Sequence, residues 1–132
     1  MKGIHHLGLA VEDLDDAVSN YERLFGAEVS GRQTSESQGV EAVALHVGDG
    51  HVELMRPLGP DTPVGRFLAK RGPGMHHVAY EVDDVGAALA ELAAAGAELI
   101  DAGPRRGMFG LEGAFVHPGS VHGVLSEVVS GG

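Results

Sequence analysis

The sequence predicts an α+β protein made of two similar βαβββ halves. Three observations predict it. A stretch near the start, Ile4-His5-His6-Leu7-Gly8-Leu9-Ala10-Val11, returns without a gap 71 positions later as Met75-His76-His77-Val78-Ala79-Tyr80-Glu81-Val82. Each copy is closed by an acidic pair, Glu12-Asp13 and Asp83-Asp84, and followed by a segment with helical spacing. Each half then finishes in short apolar runs separated by glycine-rich turns. Two copies are too few for a solenoid. They suggest one small fold of two like halves, with a histidine from each half near the axis relating them.

Length and composition agree. The 132 residues suit a single domain, with module one at about 3–56, a linker helix at about 62–71 and module two at about 74–130. There are no cysteines, so disulfides and thiolate metal sites are excluded. No apolar run approaches the roughly 20 residues of a membrane helix. No basic region followed by an apolar stretch opens the chain, so a cytoplasmic protein is expected. The net charge of -10 argues against nucleic acid as a partner. Eight histidines beside 19 acidic residues are raw material for a metal site.

The elements follow in order. Residues 4–11 read as a strand, short and β-branched at both ends. Asp13 is placed to cap a helix carrying Leu14, Ala17, Val18, Tyr21 and Leu24 at helical spacing, stopped by Gly26. A strand is expected at 27–33, a polar loop at 35–39 and a strand at 40–47. Gly48-Asp49-Gly50 makes a hairpin turn into a strand at 51–56. Thr62 as N-cap and Pro63 at the first position open a short helix to about Arg71, broken by Gly72-Pro73-Gly74. The second half repeats the plan. It has a strand at 75–82, a helix capped by Asp84 and running to Gly96, and a short strand at 98–100. A glycine- and arginine-rich loop is expected at 101–111, with strands at 113–117 and 123–129.

Alternation along strands sorts the polar residues. Val43, Leu45 and Val47 share the face suited to the helix. Val40, Ala42, Ala44 and His46 share the other, which is small and polar like a cavity wall. His51, Glu53 and Met55 share a face of the next strand, and Leu125, Glu127 and Val129 a face of the last. Each half therefore offers histidine on its first strand and glutamate on its last. Imidazole and carboxylate donors suit Zn, Mn, Co, Ni or Fe in the divalent state.

At these residues a resemblance is visible over nearly the whole chain. Its specific pieces are Ile4 to Val11, Val52-Glu53-Leu54-Met55-Arg56-Pro57-Leu58, Gly74-Met75-His76-His77-Val78-Ala79, Phe115-Val116-His117-Pro118, and Gly123-Val124-Leu125-Ser126-Glu127. The spacer from Asp61-Thr62-Pro63-Val64 to Phe67-Leu68-Ala69-Lys70 belongs with them. The chain resembles the vicinal-oxygen-chelate superfamily and, within it, the methylmalonyl-CoA epimerases. The resemblance implies paired βαβββ modules forming a cupped mixed sheet around one divalent metal ion. It implies His6, Glu53, His77 and Glu127 as ligands, with the ion open among Co, Mn, Zn, Ni and Mg. It further implies a homodimer acting on an acyl-CoA, inverting C2 of methylmalonyl-CoA through a metal-stabilised enolate. Two other readings of the scaffold stand beside it. One is a different metalloenzyme, a glyoxalase-type isomerase or a dioxygenase. The other is a metal-free binding protein of the bleomycin-resistance type.

Epimerisation needs proton transfer on two sides of one carbon. The resemblance gives Glu127 one of these roles. Some epimerases place a second glutamate where this chain has Ala42. The candidates for the partner are Glu41, if a bulge at Gly39-Val40 turns it inward, and Glu112, with His46 also on the cavity face. Arg66, Lys70 and Arg71 on the short helix, and Arg105 and Arg106 in the loop, read either as a basic rim for CoA phosphates or as solvated surface charge, with Lys70 and Arg71 favourable at the helix C-terminus.

Overall fold

The computed structural model describes residues 1–131, and its elements divide into two compact units. The first spans residues 6–76; the second joins residues 1–5 to residues from 77 onward.

The first unit contains most of β1 (Gly3–Ala10), then α1 (Leu14–Phe25), β2 (Glu28–Ser35), β3 (Val40–Val47), β4 (Gly50–Pro57) and α2 (Pro63–Arg71). Its strands lie in the order β2-β3-β4-β1. β1 runs parallel to β4, and the others are antiparallel, so the sheet is mixed. α1 forms where predicted. Asp13 accepts a bond from the Asp16 amide at 3.0 Å, and Gly26 ends the helix in the left-handed region at φ 64°. The apolar stripe of α1 covers Val43, Leu45 and Leu54, and Leu45 and Leu54 are fully buried. Thr62 both caps α2, accepting from the Gly65 amide at 3.1 Å, and donates to the Gly59 carbonyl at 2.8 Å.

The second unit contains most of β5 (Gly74–Glu81), then α3 (Val85–Ala94), β6 (Arg105–Arg106), β7 (Leu111–Val116) and β8 (Ser126–Gly131). Its strand order is β5-β8-β7-β6, with β5 parallel to β8. α3 packs Val85, Ala88 and Leu89 onto Ala114 and Val128. The opposite face holds a smaller cluster of Ala79, Leu111 and Val129. Lys2 is tied to this unit by its amide, 2.8 Å from the Glu81 carbonyl, and by its ammonium group, 3.2 Å from Asp83.

The two registers repeat. Gly8 stands beside Glu53 on the parallel pair of the first unit, and Ala79 beside Glu127 on that of the second. Gly8 and Ala79 are equivalent positions of the repeat.

The second half departs from expectation in its middle. The segment 98–100 makes a single bridge, Leu99 to Val116, rather than a strand. The Asp101 carboxylate takes the Phe115 amide at 2.7 Å, which ends the ladder there. The second strand of this half is instead the two-residue β6, inside the stretch expected to be loop. The last two strands are also shifted, to 111–116 and 126–131. A 3-10 turn over Pro118–Val121 and a left-handed His122 occupy the residues between them.

Candidate metal centre

Strand alternation builds one histidine–glutamate pair in each unit. In the first, β1 and β4 are adjacent and parallel, so His6, two residues before Gly8, shares a face with Glu53. His6 Nε2 lies 3.3 Å from Glu53 Oε2. In the second, β5 and β8 place His77 Nε2 3.5 Å from Glu127 Oε1. Both imidazoles are 4% exposed. The small neighbours Gly8 and Ala79 leave room on that face for the carboxylates.

These distances are compatible with shared coordination of one ion. A charged N–H to carboxylate bond is about 2.7–2.9 Å long. Two donors bound to one divalent ion at about 2.0–2.2 Å are held roughly 3.0–3.5 Å apart, the edge of an octahedron or tetrahedron. Electrostatics point the same way. Burial pushes the Glu53 carboxyl up to about 7, because its charged form has lost water and, among the described residues, no lysine or arginine replaces it. A cation beside it would remove that cost. The donors present therefore fit a divalent metal ion.

Glu127 has a different setting. Its Oε2 lies 3.3 Å from Arg105 Nη2, and Arg105 Nε lies 3.3 Å from Asp101. The Arg105 guanidinium stacks 4.7 Å over the Phe115 ring, which stands edge-on to His77 at 5.5 Å. Phe115 is the direct cross-strand neighbour of Glu127. A side chain at Gly113 would come within 2.8 Å of Glu127 Oε2, so the glycine makes space for the carboxylate.

The remaining sequence candidates fall elsewhere. Glu41 sits on the α1 face of β3. It accepts from Arg56 at 3.0 Å and from Arg32 at 3.0 Å, and Arg32 continues to Asp15 at 2.8 Å. The two guanidinium groups hold its carboxyl below the usual range. No bulge turns it inward: β3 pairs with β4 without a break from Val40 to Val47, and the irregularity lies in β2 between Val29 and Gly31. Glu112 is exposed and lies opposite Ser130 and Arg106, on the face away from Glu127. His46 does share the Glu53 face. Its ring is 4.5 Å from that of His51, its direct partner across the hairpin. His76 turns to α2, edge-on to Phe67 at 5.0 Å, and burial lowers its pKa.

Sequence reasoning placed Arg105 only among possible phosphate contacts and gave Asp101 no role. Both lie in a segment without periodicity, and their signal was limited to an Asp and an Arg four residues apart. A cavity of about 460 Å³ also opens in the second unit, walled by Leu92, Val116, Val121 and β8. Glu127 also borders it, with its carboxylate oxygens directed to His77 and Arg105.

Residues 5–115 match the Glyoxalase/Bleomycin resistance protein/Dioxygenase superfamily. The chain is 36% identical over 127 residues to the ethylmalonyl-CoA/methylmalonyl-CoA epimerase of Cereibacter sphaeroides, across 95% of each protein. It is 35% identical over 126 residues to the mitochondrial methylmalonyl-CoA epimerase of Homo sapiens, across 95% of this chain and 72% of that one. A solved methylmalonyl-CoA epimerase in complex with methylmalonyl-CoA and NH4+ is similar with a TM-score of 0.95 and 37% identity, over 98% of this chain and 94% of that one.

Proposed function

The chain belongs to the Glyoxalase/Bleomycin resistance protein/Dioxygenase superfamily, and from that premise we propose that it inverts C2 of methylmalonyl-CoA with one divalent metal ion. It is an isomerase of the epimerase type. The observation that carries the metal-dependent reading is a buried imidazole beside a largely covered carboxylate, standing at the same place in both halves. The ligands that the family resemblance implies are His6, Glu53, His77 and Glu127.

When bound, the ion would supply positive charge to the thioester and carboxylate oxygens as the C2 proton leaves. The chain does the rest. Glu127 takes the proton from one side of C2, and a second group delivers one to the other side. For that second group, bonding to Arg32 and Arg56 counts against Glu41, and a place on the opposite face counts against Glu112. The second group is sought on the Glu53 face, where His46 and His51 are the other titratable groups of β3 and β4. Ala79, Leu111 and Val129 form a buried apolar cluster on the Glu127 face that would keep water from that side. An ethyl group adds one methylene, worth only about 1–3 kcal/mol of discrimination, so ethylmalonyl-CoA is a reasonable second substrate. A homodimer belongs to the same proposal and is checked by sedimentation equilibrium.

The test is deuterium wash-in at C2 of methylmalonyl-CoA in heavy water, with metal-loaded and chelated protein. Wash-in with the loaded protein, lost on chelation and restored on reloading, supports the reading. Loaded protein that exchanges no deuterium overturns it.

A further inference from the structure

The two halves repeat their histidine and glutamate but not what surrounds the glutamate. Glu53 faces Ala44 across the hairpin, and among the described residues no cation touches it. Glu127 faces Phe115, has Gly113 clearing space at one oxygen, and meets a guanidinium there. Its two oxygens are thereby made different. Oε1 lies toward His77 at 3.5 Å, and Oε2 lies toward Arg105 at 3.3 Å.

Arg105 is itself held. Its Nε meets Asp101, the Asp101 carboxylate is fixed by the Phe115 amide at 2.7 Å, and the guanidinium lies over the Phe115 ring. Asp101, Arg105 and Phe115 thus form a frame around one carboxylate, built from the loop and strand that differ most from the first half. An arginine held only for surface charge needs neither an aromatic platform nor a buried glutamate as partner.

We propose that Arg105 is a positioning residue that orients the Glu127 carboxylate, so that Oε1 is committed to the metal side and Oε2 is the oxygen presented to the C2 proton. The proposal rests on the epimerase reading for the proton and on the geometry alone for the orientation. During turnover the C2 proton passes to Oε2 and its bonding pair stays on the substrate. A second acid then delivers a proton to the opposite face of C2, Oε2 releases its proton to solvent and that acid is reprotonated from solvent, so charge and atoms balance over the cycle. Arg105 gives up no proton; it restricts rotation of the carboxylate, whose loss would let either oxygen swing to the metal. Groups of this kind, bonded to a ligand rather than to the ion, typically affect affinity or activity by about 10–100-fold.

The experiment compares Arg105→Met and Arg105→Lys with the wild type, each loaded with Co2+ and confirmed folded by thermal melting. Arg105→Met should lower kcat roughly 10–100-fold with KM within a few-fold of wild type, and should change the visible Co2+ spectrum. Arg105→Lys should recover part of kcat, and added methylguanidinium should recover part of the Arg105→Met loss. A raised KM with unchanged kcat would overturn the proposal and make Arg105 a substrate grip. Unchanged kcat, KM and spectrum would overturn it as a surface ion pair. If the loaded wild type shows no wash-in, the epimerase reading has failed. The Co2+ spectrum of Arg105→Met then decides the orientation role by itself, changed in support and unchanged against.

Discussion

Gly113 illustrates how a single position sets the chemistry available to its neighbour. The glycine lies in a strand, where a side chain is otherwise favoured. A Cβ there would stand 2.8 Å from Glu127 Oε2 and 3.3 Å from Val129 Cγ1. The nearer atom is the end of a flexible side chain, so Gly113→Ala should fold, with a stability change within about 1 kcal/mol. It should nonetheless displace the carboxylate from Arg105 and cost roughly 10–100-fold in turnover. Thermal melts and steady-state rates check both halves of this expectation. A variant that turns over like wild type would show that the Oε2 position is unimportant. His6→Ala and His77→Ala make the companion prediction. Each removes one donor from a buried pair, so each should weaken Co2+ or Mn2+ affinity, measured by titration against a competing chelator. Loss from both is expected if both imidazoles are ligands.

At the scale of elements, strand alternation carried most of what the sequence could say. It placed Val43 and Leu45 against α1 and set Glu53 on the other face of its sheet. It also put Glu41 with Val43, and the structure keeps it there, held by Arg32 and Arg56. Glu41→Gln should therefore leave turnover at the wild-type value while slightly lowering the melting temperature, because it breaks an Asp15–Arg32–Glu41–Arg56 chain that ties α1 to three strands. Loss of turnover with full metal content would instead restore Glu41 as a proton carrier. Alternation fails where strands are short. The two-residue β6 and the single bridge at Leu99 have no period to read. The frame around Glu127 depends on contacts between a loop and a strand edge, which no local pattern encodes. The helices were legible because Asp13, Thr62 and Asp84 each announce a start through a side-chain acceptor, and each is observed accepting the expected amide.

At the scale of the whole molecule, the buried carboxylate couples metal binding to stability. Burial raises the Glu53 carboxyl from 4.5 to about 7 in the metal-free fold. The folded state then binds more protons than the unfolded state between those values. Stability from this group is present below about pH 4.5 and is lost as pH rises toward 7, by about 3 kcal/mol as an upper figure. His76 acts in the opposite sense. Burial lowers its pKa, so its contribution is present above the ordinary imidazole value of 6.5 and lost as pH falls through the lowered value. Glu41 is also lowered, and its window lies below pH 4.5. The Glu53 effect is therefore isolated by comparison with Glu53→Gln, which removes one titration and leaves the others. Melting temperatures of chelated protein should fall more steeply from pH 5 to pH 7 in wild type than in Glu53→Gln. A divalent ion reverses the slope in wild type, since it binds the ionised carboxylate and neutral imidazoles and stabilises only the folded state. The gain in melting temperature on adding metal should accordingly be small at pH 5, grow through pH 7 and level off above it. Identical slopes for chelated wild type and Glu53→Gln would mean that Glu53 carries its charge at no cost and that its burial calls for no cation.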